Sequence, residues 1–140
     1  MLAEFCCQLL CIVLYILLIY SIFHSEKYKN LEKVKVVIKN LRMQEIPVTD
    51  SEIPLIFHFA QAGLDWMQAC GQKGRCTTCA FEVLEGTENL SPPTESEMRY
   101  LAAGRLKPGY RLACQACINA SILVRVPDGC RLPHLDYSEK

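Results

Sequence analysis

The chain has 140 residues, nine cysteines and a formal net charge of zero, enough for one domain of ordinary size with an appendage. The charge is uneven. In residues 24–42 six basic side chains (Lys27, Lys29, Lys33, Lys35, Lys39, Arg42) meet two acids, whereas residues 43–140 carry nine bases against twelve acids. A mildly acidic main domain without a dense basic face excludes a nucleic-acid partner.

Residues 5–23 contain no charged side chain. As a helix they would be about 28 Å long, close to the roughly 30 Å hydrocarbon core of a bilayer. A cleavable signal peptide would need a basic start and a small-residue exit. This stretch begins with Glu4 and leaves through Ser21-Ile-Phe-His24, so an uncleaved transmembrane helix is expected over residues 1–24. Cys6, Cys7 and Cys11 read there as small apolar residues, with acylation of Cys6 or Cys7 as the alternative. The basic run from Lys27 follows the span directly, which predicts that the C-terminal domain faces the cytoplasm. Residues 25–32 are then a juxtamembrane linker.

From Lys33 to Leu41 polar and β-branched apolar residues alternate, predicting a strand, and Glu45–Thr49 reads as its antiparallel partner. Leu55, Ile56, Phe59 and Ala62 recur at helical spacing after Pro54, and Gly63 ends that helix. His58 reads as a surface or packing residue, and Trp66 and Met67 as cover for the site that follows. Ala80–Leu84 predicts another strand. Thr94 and Glu97 have capping-box spacing ahead of a short helix reaching Ala103. A loop over 106–110 leads into Arg111–Cys114, and Ile122–Val126 closes the sheet. The polar tail, 128–140, is expected to be loosely ordered.

The remaining pattern is Cys70-Gly-Gln-Lys-Gly-Arg-Cys76-Thr-Thr-Cys79, three thiols in ten residues, with Cys114 as a fourth. Paired C-x-x-C spacing is metal or redox spacing and implies a reducing compartment. Zinc would use the knuckles Cys76/Cys79 and Cys114/Cys117. Their 34-residue separation exceeds the usual 15–20, and Cys70 would be left without a task. A [2Fe–2S] cluster uses Cys70, Cys76, Cys79 and Cys114. Its negative charge calls for inward-pointing amides, which Gly71 and Gly74 permit. Lys73 and Arg75 would add positive potential, or be solvated loop charges. Rieske-type ligation is disfavoured, because His24, His58 and His134 lie outside both cysteine clusters.

The Cys70-Gly71-x-x-Gly74-x-Cys76-x-x-Cys79 and Arg111-Leu112-x-Cys114-Gln115 motifs, with Asn89-Leu-Ser, resemble the plant- and adrenodoxin-type [2Fe–2S] ferredoxins over residues 33–127. The five residues between Cys70 and Cys76 match the adrenodoxin-like branch; the plant pattern has four. The resemblance implies an α+β domain of β-grasp type, a mixed sheet with one main helix. It also implies a cluster near the surface on those four cysteines, and one-electron transfer without catalysis. Expected partners are redox proteins of the ferredoxin reductase or oxygenase type. Glu82, Glu85, Glu95 and Glu97 would form a docking face for them, or be scattered surface charge. A redox-sensing regulatory module of a membrane complex and a zinc-stabilised interaction domain are the alternatives. Cys117 and Cys130 are expected not to be ligands.

Overall fold

The computed structural model describes residues 34–138. The predicted span (5–23), the linker and the acylation candidates Cys6 and Cys7 lie outside the described residues. Among the described residues no helix is long and apolar enough to cross a membrane.

Strand β1 (Lys35–Ile38) points Val36 and Ile38 into the core, both fully buried, and turns its other residues outward, the period of two that a half-buried strand requires. It pairs antiparallel with β2 (Gln44–Pro47), Val36 opposite Ile46. The predicted strand over 33–41 ends early because the Asn40 side chain bonds across to Val126, donating to its carbonyl at 2.9 Å and accepting from its amide at 3.0 Å. The chain then turns tightly, with the Gln44 amide on the Leu41 carbonyl at 3.0 Å. Arg42 and Met43 both sit in the left-handed region at φ 54° and 57°. This geometry suits the twist of a hairpin but costs non-glycine residues roughly 1–2 kcal/mol each.

What holds that turn is the tail. Arg42 pairs with Asp136 and its amide reaches Ser138 Oγ, while the Ser138 amide bonds the Asn40 carbonyl at 2.9 Å. Leu135 and Tyr137 pack against the core, and the Tyr137 hydroxyl accepts from the Leu132 amide. The expectation of a loose tail is therefore corrected. Two apolar side chains and a set of backbone bonds fasten it across the sheet edge.

Helix α1 (Leu55–Gln61) buries Leu55, Ile56 and Phe59. Its first amides, which have no partner inside the helix, donate to the Ala116 and Ala113 carbonyls at 2.9 and 3.0 Å. This ties the helix start to the segment that carries Cys114. Gly63, at φ 71°, follows the helix as predicted. Strand β3 (Ala80–Glu85) leaves the cysteine loop, and α2 (Glu95–Ala102) starts at a complete Thr94–Glu97 capping box. β4 (Tyr110–Leu112) and β5 (Ile122–Arg125) finish a five-stranded sheet in the order β2-β1-β5-β3-β4. β1 and β5 run parallel in the centre and every other pair is antiparallel. The mixed sheet with one core helix and one capped helix is the architecture expected from the resemblance.

Candidate metal centre

The cysteine loop occupies residues 70–79, between Trp66 and β3. Gly71, Gln72 and Gly74 all have positive φ, 65°, 68° and 62°, so the backbone curls and its amides turn inward. Two of those amides, from Lys73 and Arg75, bond the Cys70 sulfur, and Cys76 bonds it through its thiol. Burial raises the Cys70 pKa, but these contacts outweigh it and hold the thiol below its ordinary 9.0. Arg75 thus supports the loop through its N–H; its side chain is exposed. Gly74 is needed twice over. A methyl group there would lie 3.0 Å from Ser96 Oγ and 3.1 Å from the Gln115 carboxamide carbon, so the loop rests directly on α2 and on the residue after Cys114.

Cys79 and Cys114 form the second pair. Both are buried, at 1% and 5% exposure, and their sulfurs are 3.4 Å apart. As thiols they share a proton unequally. The Cys79 thiol donates to Cys114, and this bond, aided by Gln115 and the Gly74 amide against burial, lowers Cys114 to about 6. The same contact, with burial, pushes Cys79 up. Trp66 fixes the backbone of this pair: its indole N–H donates to the Cys79 carbonyl at 3.1 Å, and its ring packs on Phe59 with centroids 4.4 Å apart. The expected cover over the site is thus a brace behind it. On the surface side the Cys76 sulfur meets Thr78 Oγ1 at 3.1 Å.

Behind Cys114 lies a network that sequence reasoning saw only in pieces. Arg111 grips Glu97 with two bonds, Nε to Oε1 at 2.9 Å and Nη2 to Oε2 at 3.0 Å, and donates Nη1 to the Ser91 carbonyl. Glu97 also accepts from the Leu112 and Thr94 amides, both at 2.9 Å. Burial pushes the Glu97 carboxyl up, yet Arg111 and the two amides outweigh it and the net shift is downward. Glu97 is fully buried, which corrects its reading as a docking or surface carboxylate. It joins the start of α2 to the strand that delivers Cys114. Glu82 is likewise engaged, with Arg125 at 3.4 Å.

Cys117 stands away from the other thiols. Its sulfur reaches the Glu52 carbonyl at 3.6 Å and its amide donates to Ser91 Oγ; burial raises its pKa. The Cys130 sulfur donates to the Thr77 carbonyl at 3.7 Å and is also raised by burial. His58 is a buried packing residue, with Nε2 2.9 Å from the Asp50 carbonyl. His134 pairs with Asp65.

The donor set fits a two-iron centre. A tetrahedral thiolate site with bonds of about 2.3 Å spaces its sulfurs about 3.8 Å apart, near the 3.4 Å between Cys79 and Cys114. The thiols come as two pairs, Cys79 with Cys114 and Cys70 with Cys76. The inward amides suit an anionic centre. Fold and site together define a small iron–sulfur protein of β-grasp type.

Comparison with known proteins agrees. Residues 38–119 match the model of the 2Fe-2S iron-sulfur cluster binding domain, and the chain belongs to that family. It is 31% identical over 86 residues to 2Fe-2S ferredoxin-5 of Aquifex aeolicus, covering 61% of this chain and 88% of that one. It is 32% identical over 74 residues to one of the subunits of the Na(+)-translocating NADH-quinone reductase of Pasteurella multocida, covering 53% of this chain but only 17% of that much longer relative. The solution structure of oxidised putidaredoxin superposes with a TM-score of 0.54 at 30% identity, covering 67% of this chain and 96% of that one. The protein carries a [2Fe–2S] cluster and is a ferredoxin-like electron carrier.

Proposed function

We propose that Cys70, Cys76, Cys79 and Cys114 ligate the cluster and that the protein is a membrane-tethered one-electron carrier. The observation that carries the ligand set is the two-plus-two arrangement of these thiols in a cradle of inward amides, with Cys117 turned to the Glu52 carbonyl. The bound cluster supplies reversible one-electron chemistry, cycling between two oxidation states. The polypeptide does the rest. The loop amides offset negative charge, Trp66 and the Glu97–Arg111 pair hold the sulfur positions, and the core excludes water from the Cys79/Cys114 side. Four thiolates close the ligand shell, leaving no position for a substrate.

The tether is residues 5–23, with the domain on the cytoplasmic side behind the basic linker. Confinement to the membrane plane raises the effective concentration of the carrier near membrane-bound redox partners. A relative that belongs to a quinone reductase supports this reading. Donor and acceptor are then a reductase and a membrane-associated oxidoreductase or oxygenase.

The test is absorption and EPR of the full chain purified in detergent, before and after dithionite, with iron, sulfide and zinc counted. About two irons and two sulfides per chain, EPR-silent when oxidised and spin-half when reduced, are expected. A colourless protein with stoichiometric zinc would overturn the carrier. Extraction of the protein from membranes by alkaline carbonate without detergent would overturn the tether.

A further inference from the structure

The surface around the cysteine loop carries the opposite charge to the domain as a whole. Three acids of this region are ion-paired: Glu97 with Arg111, Glu82 with Arg125 and the exposed Asp128 with Arg131. Five further cations are not. Lys73 and Arg75 are exposed in the loop, Arg99 on α2, and Arg105 and Lys107 in the segment before β4. None of the five forms an ion pair among the described residues.

Arg105 and Lys107 are positioned by aromatic rings rather than by acids. The Arg105 guanidinium lies 5.3 Å from the Tyr100 ring centre, with Arg99 5.7 Å from the same ring, and the Lys107 ammonium lies 5.9 Å from the Tyr110 ring. Such contacts hold a cation while leaving its N–H donors outward. Both residues line an open cleft of about 380 Å³ together with Thr77 and Thr78, the two residues between Cys76 and Cys79, and with the charged side chains of Arg125 and Asp128. A group seated there would touch the segment that joins Cys76 to Cys79. The cleft also meets Cys130, the start of the tail.

Resting on the electron-carrier reading above, we infer that this cleft and the cations around it form the docking face for an acidic redox partner protein, whose carboxylates engage Arg105 and Lys107 beside the Cys76–Cys79 loop. Long-range attraction would steer the partner onto the edge where transfer is shortest. Four thiolates and a cluster make the holoprotein negative overall, so a preference for anions must come from a local arrangement of cations, and substitutions at Arg105 and Lys107 distinguish this face from the basic stretch at residues 24–42.

The test is stopped-flow oxidation of the dithionite-reduced full chain in a non-ionic detergent, by hexacyanoferrate(III) and by hexaamminecobalt(III), at rising salt. Each reaction moves one electron from the cluster to the metal complex. Oxidation by the anion should slow about tenfold from low to high salt, and oxidation by the cation should quicken. Lys107→Glu should lower the low-salt rate with hexacyanoferrate several-fold, and Arg105→Glu with Lys107→Glu about tenfold, at unchanged cluster absorption. Lys35→Glu makes the same change in net charge at the far end of the β1–β5 strand pair, beside Ser121, and should alter the rate less than twofold. Equal effects of Lys35→Glu and Lys107→Glu, or the reverse salt dependence, would overturn the docking face. A preparation without cluster absorption overturns the carrier reading itself, which is seen before any rate is measured. In nanodiscs, Lys107 should be acetylated equally fast with phosphatidylcholine and with added phosphatidylglycerol. Protection by the anionic lipid would assign the face to the membrane surface and overturn the protein partner.

Discussion

The two thiol pairs are built on different principles. Cys79 and Cys114 belong to the core: one immediately precedes β3, the other follows β4, and Trp66, α1 and the Glu97–Arg111 pair fix both from behind. Cys70 and Cys76 are half-buried and belong to a loop whose shape is set by three residues of positive φ and by amide bonds to sulfur. The first pair is placed by tertiary packing, the second by local backbone. A centre held by both pairs would be anchored at one end and accessible at the other.

Substitutions can separate these contributions. Cys79→Ser or Cys114→Ser should abolish the visible absorption of the cluster and also destabilise the fold, since a hydroxyl replaces a thiol in the core. Cys70→Ser or Cys76→Ser should lose the absorption while leaving urea unfolding of the apoprotein nearly unchanged. Cys117→Ser and Cys130→Ser should keep the cluster, and its loss in Cys117→Ser would refute the ligand set.

Next in size is Glu97→Ala, which leaves the Arg111 guanidinium buried without its partner and should cost about 3–5 kcal/mol by denaturant titration. The same pair sets an acid limit. The folded Glu97 carboxyl titrates below its ordinary 4.5, so its contribution is present above that value and is lost as pH falls through the depressed one. Unfolding midpoints should therefore drop below about pH 4.5 in the native chain, and drop less in Glu97→Gln.

Smaller effects belong to the loop. Gly74→Ala combines a strained φ with a 3.0 Å approach to Ser96 and should cost about 2 kcal/mol and lower cluster occupancy. Gly71→Ala has the same strain but open space around it, and should cost only about 1 kcal/mol. Trp66→Phe keeps the ring and removes one hydrogen bond to the Cys79 carbonyl, about 1 kcal/mol of stability. Iron content and unfolding midpoints of the three variants rank them.

The loop was legible in the sequence because its information is local: thiol spacing and two glycines within ten residues. The Thr94–Glu97 cap was legible for the same reason. What Glu97 does beyond capping was not, since Arg111 lies 14 residues away and only the return of β4 beside α2 brings them together; the carboxylate therefore read as surface charge. The tail misled in the same way. Its composition is polar, and the few anchors that fasten it (Leu135, Tyr137, Ser138) act on a turn almost a hundred residues earlier. Exposure around the loop was equally invisible, because a neutralised acid and a free one are identical in a sequence.

The parallel pairing of β1 with β5 has a consequence for how the molecule is made. Val36 meets Ile122, and Ile38 meets Val124, so the central ladder of the sheet joins the first strand to the last. A ribosome releasing this chain delivers β1, β2, α1 and the cysteine loop long before the strand that closes the sheet, and Cys114 also emerges late. Contacts of such separation form slowly. Cluster insertion is therefore a step for the finished chain. Until then β1 presents an open edge, a time window in which assembly factors have access and misassembly competes.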